Sequence, residues 1–205
     1  MEKSEFVLKV GYGETALIPI DTQMLSSRVL FVEDDITSGS ADLFVKQLAY
    51  LCQSDTTKPI TVVINSKGGE ITAGLKMCDA LEACPVKVNA FCFGKAYSMA
   101  AVVFESCSGT RNVVGRSKLM LHQPLVMGGD AVKKMSVIED MAKELQQKQE
   151  EILDIVTKQS TLPRETIKEK MKEDWFLTVE EAITYGLADA KATFSDVFGL
   201  VKEKE

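Results

Sequence analysis

Pro59-Ile60-Thr61-Val62-Val63-Ile64-Asn65 runs into Ser66-Lys67-Gly68-Gly69-Glu70-Ile71, and the residues from Ile71 to Ala83 follow at helical spacing. A β-branched run, a pair of glycines and an amphipathic segment predict a strand, a turn and a helix. The same unit stands on either side. Upstream, Arg28-Val29-Leu30-Phe31-Val32 reads as a buried strand, and Thr37 or Ser38 can cap a helix with Leu43, Phe44, Leu48 and Leu51 on its apolar positions. Downstream, Val86 to Phe93 is a third strand, Gly94 is expected to turn the chain, and Ser98 to Ser106 reads as a helix. Strands alternating with helices imply an α/β fold with a largely parallel sheet and right-handed crossovers.

The flanks are less regular. Phe6 to Val10 is a candidate strand before the turn signal Gly11-Tyr12-Gly13. Asn112-Val113-Val114 and Lys118 to Leu121 are short strands. Gly128-Gly129-Asp130 is expected to open the longest helix, about Ala131 to Gln159, whose Met135, Ile138, Met141, Leu145, Ile152 and Val156 make one packing face. Glu165 to Glu173 and Val179 to Tyr185 are two further helices. No internal repeat or low-complexity linker interrupts the chain, so residues 1–205 are expected to be a single domain.

Composition removes several classes of function. The 205 residues are 45% hydrophobic and 26% charged, which is globular. A net charge of -6, with no concentration of Lys and Arg, argues against a nucleic-acid partner. The tail Lys202-Glu203-Lys204-Glu205 is expected to be a solvated end. Five cysteines without a CxxC pair, most among apolar neighbours, read as reduced thiols of a cytoplasmic protein. One histidine and no CxxC leave no expected zinc site, and no other cofactor is implied. Neither a signal core nor an apolar run of membrane-spanning length is present, so no membrane partner is expected.

The single histidine, His122, gives the chemistry its sharpest test. A serine hydroxyl is a poor nucleophile until a base takes its proton, and only His122 can be an imidazole base here. Ala96-Tyr97-Ser98-Met99-Ala100 is a G-x-S-x-G frame with alanine at both glycine places. Small flanking residues suit a sharp strand-to-helix turn, and the N–H of Met99 would lie at a helix N-terminus, suited to an oxyanion. A plain N-cap accounts for Ser98 as well, and a satisfied structural histidine accounts for His122. The residues alone do not choose among thirty acidic side chains for a third member.

Four blocks resemble the Clp protease proteolytic subunit, the ClpP family. They are Asn65 to Gly74, Gly94 to Ala100, Met120-Leu121-His122-Gln123-Pro124-Leu125, and Asp174 to Ala182 with Tyr185-Gly186-Leu187-Ala188-Asp189. The likeness runs from about Leu25 to Ala190. It implies a ClpP/crotonase-type β-α superhelix with a protruding handle helix in a region of about 123–160, and an axial segment at 1–20. It implies Ser98 as nucleophile, His122 as general base and Asp174 as the orienting carboxylate. The N–H groups of Gly69 and Met99 would form the oxyanion hole. An extended polypeptide substrate would lie between the Gly68-Gly69 segment and the strand beginning near Leu125. Self-association into heptameric rings, their stacking into a tetradecamer, and feeding by an AAA+ unfoldase are implied as well. A non-catalytic ring subunit and a phage-type capsid-maturation protease are the alternatives within this likeness.

The chain departs from the family's pattern at several positions. Lys67, Lys95, Tyr97 and Ala100 are expected to crowd and charge the rim of the site. Glu173 replaces an arginine that pairs across the ring–ring contact, which implies altered or weaker stacking. Thr61, Val63 and Ala83 replace aromatic residues of the unfoldase groove, while Phe91 and Phe93 remain.

Overall fold

The computed structural model describes residues 5–10, 14–125 and 134–199. The chain opens with an antiparallel hairpin, β1 (Glu5–Val10) and β2 (Glu14–Pro19), followed by α1 (Ile20–Ser26). Three strand–helix units come next: β3 (Val29–Ile36) with α2 (Ser38–Ser54), β4 (Ile60–Gly69) with α3 (Ile71–Glu82), and β5 (Val88–Tyr97) with α4 (Met99–Glu105). Then follow β6 (Arg111–Val114), β7 (Lys118–Leu121), α5 (Met135–Thr157), α6 (Arg164–Lys170), β8 (Trp175–Leu177), α7 (Val179–Thr184), β9 (Ala190–Ala192) and α8 (Phe194–Phe198).

The expected parallel sheet is present, in the order β3-β4-β5-β6-β9, with β7 joining β5 and β8 joining β7. Every pairing in it is parallel except β7 with β8. Side chains alternate faces along a strand, so β4 serves two cores. Ile60, Val62 and Ile64 enter the main core with the buried sides of α2, α3, α4 and α5. Val63 turns the other way, into a second cluster with Val29, Phe91, Val114, Ala192 and Val197. Phe198 of α8 and Met24 of α1 pack on that second face.

Several sequence expectations move. Gly94 does not turn the chain: β5 continues through it to Tyr97, and the ladder with β4 slips between Ile64 and Ser66. Gly94 holds φ +115, and a Cβ there would stand 2.5 Å from the Asn65 Oδ1, so the bulge needs glycine. Gly68 and Gly69 likewise lie inside β4 and pair with Asp35 and Ile36 instead of forming a turn. The helix expected to end at Glu173 ends at Lys170, leaving Glu173 and Asp174 in the connection to β8.

In the described residues the long helix begins at Met135, after Lys134 in extended conformation; the expected start at Ala131 and the Gly128-Gly129-Asp130 signal lie outside the described residues. Its single packing face is not continuous. Ile152, Leu153 and Val156 are buried, whereas Met135 and Ile138 are 70% and 49% exposed. Among the described residues, therefore, the N-terminal half of α5 contributes nothing to the buried core. The turn Gly11-Tyr12-Gly13 and the charged tail also lie outside the described residues.

Candidate active site

Three strand ends build the site. β5 delivers Ser98, β7 delivers His122, and β8 is preceded by Asp174. Register explains why they meet. Tyr97 of β5 pairs with Met120 of β7, and the Ser98 N–H continues the ladder by donating to the Met120 carbonyl at 2.8 Å. Leu121 of β7 pairs with Trp175 of β8, so the next positions along that antiparallel ladder are His122 and Asp174.

Ser98 occupies φ 54, ψ -128, a conformation that costs a non-glycine residue about 1–3 kcal/mol. It stands at the N-cap position of α4, but its side chain makes no capping bond. Its Oγ instead lies 2.7 Å from the His122 Nε2. That answers the choice the sequence left open: the hydroxyl is turned away from its own helix and toward the only imidazole.

The elbow is held from beneath by Gly68. With φ +92, its missing Cβ would stand 2.7 Å from the Tyr97 carbonyl oxygen, 2.8 Å from the Met99 nitrogen and 2.9 Å from the Ser98 Cβ. Only glycine lets β4 come this close to the turn. The Gly68 N–H donates to the buried Ser66 hydroxyl at 3.0 Å, and Ser66 in turn donates to the Asp34 carbonyl. Gly69 is also confined, since a Cβ on it would lie 2.1 Å from the Ile36 carbonyl oxygen. Met99, with 2% of its surface exposed, begins α4, where a first-turn N–H has no intrahelical partner.

Asp174 is the loosest of the three. Its Oδ1 stands 3.7 Å from the His122 Nδ1, beyond hydrogen-bond range, and its side chain is 62% exposed against 14% for His122. The segment before it is tied back beside His122 by Gln123, whose N–H donates to the Met171 carbonyl at 2.6 Å and whose side chain donates to the Lys172 carbonyl at 3.2 Å. Gln123 stands in the Met120–Leu125 motif, where the sequence assigns it no role. Its position next to His122 was the available signal.

Ser98, His122 and Asp174 line one open cleft of about 800 Å³ with Gly69, Met99 and Leu125. Val102 and Ile152 supply apolar surface, and Lys148 crosses one wall, donating to the Thr72 hydroxyl at 3.1 Å and pairing with Glu144. Leu125 is 61% exposed at the edge. Of the four departures expected at the rim, only Lys67 lines this cleft. Lys95 faces a neighbouring polar hollow with Glu33, Asp34 and Asp35. Tyr97 stacks edge-on against Phe176 at 5.4 Å, and Ala100 is fully buried. Lys95 and Tyr97 leave the cleft because a strand's alternation turns side chains near Ser98 to other faces, and Ala100 because it lies in α4, whose residues are all buried.

The groove positions also separate. Thr61 and Phe91 border one hollow with Phe194 and Phe198, and Val63 and Phe93 border another with Phe31 and Phe198. Ala83 caps α3 and borders neither. Phe198 of α8 thus lines both hollows and Phe194 one of them, neither with a signal in the local sequence.

Among the described residues, no group of three or more His, Cys, Asp or Glu side chains is placed to hold a metal ion. No described helix is long and apolar enough to cross a membrane.

With this geometry in hand, comparison with known proteins is direct. The Clp protease family profile matches residues 13–193. The chain is 34% identical over 184 residues to the ATP-dependent Clp protease proteolytic subunit 2 of Chlamydia pneumoniae, covering 89% of each chain. It is 35% identical over 173 residues to the proteolytic subunit 3 of Synechococcus sp. (strain CC9902), covering 84% of this chain and 86% of that one. A proteolytic subunit 2 of Prochlorococcus marinus (strain NATL2A) is 34% identical over 177 residues, covering 86% and 88%.

Proposed function

The chain belongs to the Clp protease family, and on that premise we propose that it is a serine endopeptidase cutting unfolded polypeptides. The observation that carries the proposal is the 2.7 Å contact between the Ser98 Oγ and the His122 Nε2, made by a serine in a strained elbow. In the proposed reaction His122 takes the Ser98 proton as the oxygen attacks the scissile carbonyl. The N–H groups of Gly69 and Met99 receive the oxyanion, and His122 then hands its proton to the leaving amine. Water repeats the sequence on the acyl-enzyme. Asp174 keeps the Nδ1 proton of His122 in place and stabilises the imidazolium.

The substrate would lie extended between the Gly68-Gly69 edge of β4 and the chain from Leu125, held mainly through its backbone. Such binding reads side chains weakly, so cleavage would be broad. The whole chain would act as one domain. The exposed N-terminal half of α5 supports self-association through that helix, in heptameric rings and their stacked tetradecamer. Glu173, exposed and without an ion pair among the described residues, would weaken the stacking. An AAA+ unfoldase would feed the chamber, docking on a groove altered at Thr61 and Val63. The protein would work in the cytoplasm.

One observation favours a second reading. The 3.7 Å separation and the exposure of Asp174 suit a non-catalytic ring subunit whose triad never closes. Fluorophosphonate labelling of the assembled protein separates the two. Labelling at Ser98, abolished by both Ser98→Ala and His122→Ala, is the result expected of the endopeptidase. An assembled wild-type ring that does not label is the result expected of the non-catalytic subunit.

A further inference from the structure

Far from the cleft, two of the five cysteines touch. The Sγ atoms of Cys52 and Cys84 are 3.0 Å apart, and both residues are partly open to solvent. Cys52 lies in the last turn of α2, and Cys84 directly follows the cap of α3. The contact belongs to a regular seam between the two helices. At the start of the seam Glu70 accepts from the Ser38 N–H at 3.1 Å and the Ser38 hydroxyl at 2.8 Å. One turn further Lys76 pairs with Asp42. The cysteines close the far end at the same sequence offset, 32 residues, as Ser38 and Glu70. The other three are different: Cys78, Cys92 and Cys107 are buried in the main core, and burial pushes each thiol well up.

We propose that Cys52 and Cys84 are a reversible redox site, closing to a disulfide that staples α2 to α3. A disulfide needs its sulfurs about 2.05 Å apart, so closure asks for about 1 Å of movement, within reach of side-chain rotation. The oxidant is a low-molecular-weight disulfide of the glutathione class. One cysteine thiolate attacks it, forming a mixed disulfide and releasing one small thiol. The second cysteine then attacks the protein sulfur, releasing the other small thiol. Two electrons pass from the protein dithiol to the small disulfide, and two protons are carried off on the released thiols.

Burial and the neighbouring Cys84 push the Cys52 thiol up to about 11, so attack by Cys52 is slow at neutral pH and quickens as pH rises. The loop closed spans 32 residues, for which the staple is expected to raise the melting temperature by about 5–10 °C.

The test uses the assembled full chain treated with oxidised glutathione, quenched with acid and mapped without reduction. The expected product is a Cys52–Cys84 linked peptide, two hydrogens lighter and reopened by dithiothreitol. Cys78, Cys92 and Cys107 remain alkylatable only after denaturation. The oxidised protein melts higher than the reduced one, and this difference vanishes in Cys52→Ser. The same variant traps glutathione on Cys84 as a stable mixed disulfide. Stable glutathione on either cysteine of the wild type, two thiols left intact when a surface dithiol control is fully oxidised, or a linked peptide with no rise in melting temperature would each overturn the proposal.

Discussion

Gly68→Ala should push the Ser98 elbow out of place. A Cβ at this position begins 2.7 Å from the Tyr97 carbonyl oxygen, 2.8 Å from the Met99 nitrogen and 2.9 Å from the Ser98 Cβ. None of these is the free end of a flexible side chain. To reach an ordinary contact of about 3.4 Å, the elbow must retreat by about 0.7 Å. Misplacing a catalytic group by 1 Å costs on the order of 10²-fold. Peptide hydrolysis and the rate of fluorophosphonate labelling at Ser98 should therefore both fall by roughly 10- to 100-fold. Stability should fall by about 2–4 kcal/mol, from overpacking together with alanine's strain at φ +92.

Gly115→Ala separates the two causes. Gly115 also has positive φ, at +60, but nothing lies within 4 Å of an added Cβ. It should lose about 1 kcal/mol and label Ser98 at the wild-type rate. Labelling of Gly68→Ala at the wild-type rate, in a protein that melts with the wild type, would refute the claim that β4 sets the position of Ser98.

Asp174→Asn should lower kcat by only about 10- to 100-fold with KM little changed, far less than the ~10⁴-fold loss at a buried, hydrogen-bonded triad aspartate. A loss equal to that of Ser98→Ala would mean the carboxylate closes on His122 during turnover. In the core, Arg111 is buried between Glu105 and Asp189. Burial pushes the Glu105 carboxyl up to about 8 against the pull of Arg111, while the Arg111 guanidinium holds Asp189 down. A raised carboxyl stabilises the fold fully below its unfolded value of 4.5 and loses that contribution as pH rises through about 8. Glu105→Gln should thus fold normally and flatten the decline in stability between pH 5 and 8, as urea titrations across that range would read. Arg111→Met should cost about 1–3 kcal/mol in the same assay, because it removes the donors to Glu105, Asp189 and the Gly186 carbonyl while the half-open Asp189 keeps water and the backbone N–H of residue 111. Arg28 donates to the carbonyls of Leu51, Asp55, Lys58 and Pro59 at the end of α2. Arg28→Lys should lose about 2 kcal/mol, since an ammonium cannot span that fan, and a melting temperature equal to wild type would refute this.

Much of the architecture was legible because it rests on short-range pattern. The three strand–helix units announce themselves through β-branched runs and helical spacing, and each lies close to where that pattern puts it. Misreadings fall where long-range pairing overrides a local signal. Gly94 and Gly68-Gly69 carry the signature of turns, yet each keeps glycine because a neighbouring strand presses on it: Asn65 on Gly94, Ile36 on Gly69, and the Ser98 elbow on Gly68. In isolation a glycine demanded by positive φ in a loop and one demanded by close approach inside a sheet look alike. The short strands β8 and β9, three residues each, fall below the length at which alternation can be recognised.

The same limit explains why the site divided as it did. Ser98 and His122 were legible because each ends a strand and because the histidine has no rival in the chain. Asp174 was not, since its place beside His122 depends on the antiparallel pairing of β7 with β8, whose partners lie 54 to 58 residues apart. Nothing in the local sequence encodes that pairing except the resemblance to a family. The structure adds what the resemblance did not supply, a cause for the proximity. Gln123, the residue after the histidine, binds the carbonyls of Met171 and Lys172 and so brings the acidic segment alongside. It leaves Asp174 itself at 3.7 Å. The serine–histidine pair is thus fixed by the central sheet, whereas the histidine–aspartate pair hangs on one edge strand and one glutamine. Within a single chain, it is the second pair that surrounding contacts can most easily tighten or release.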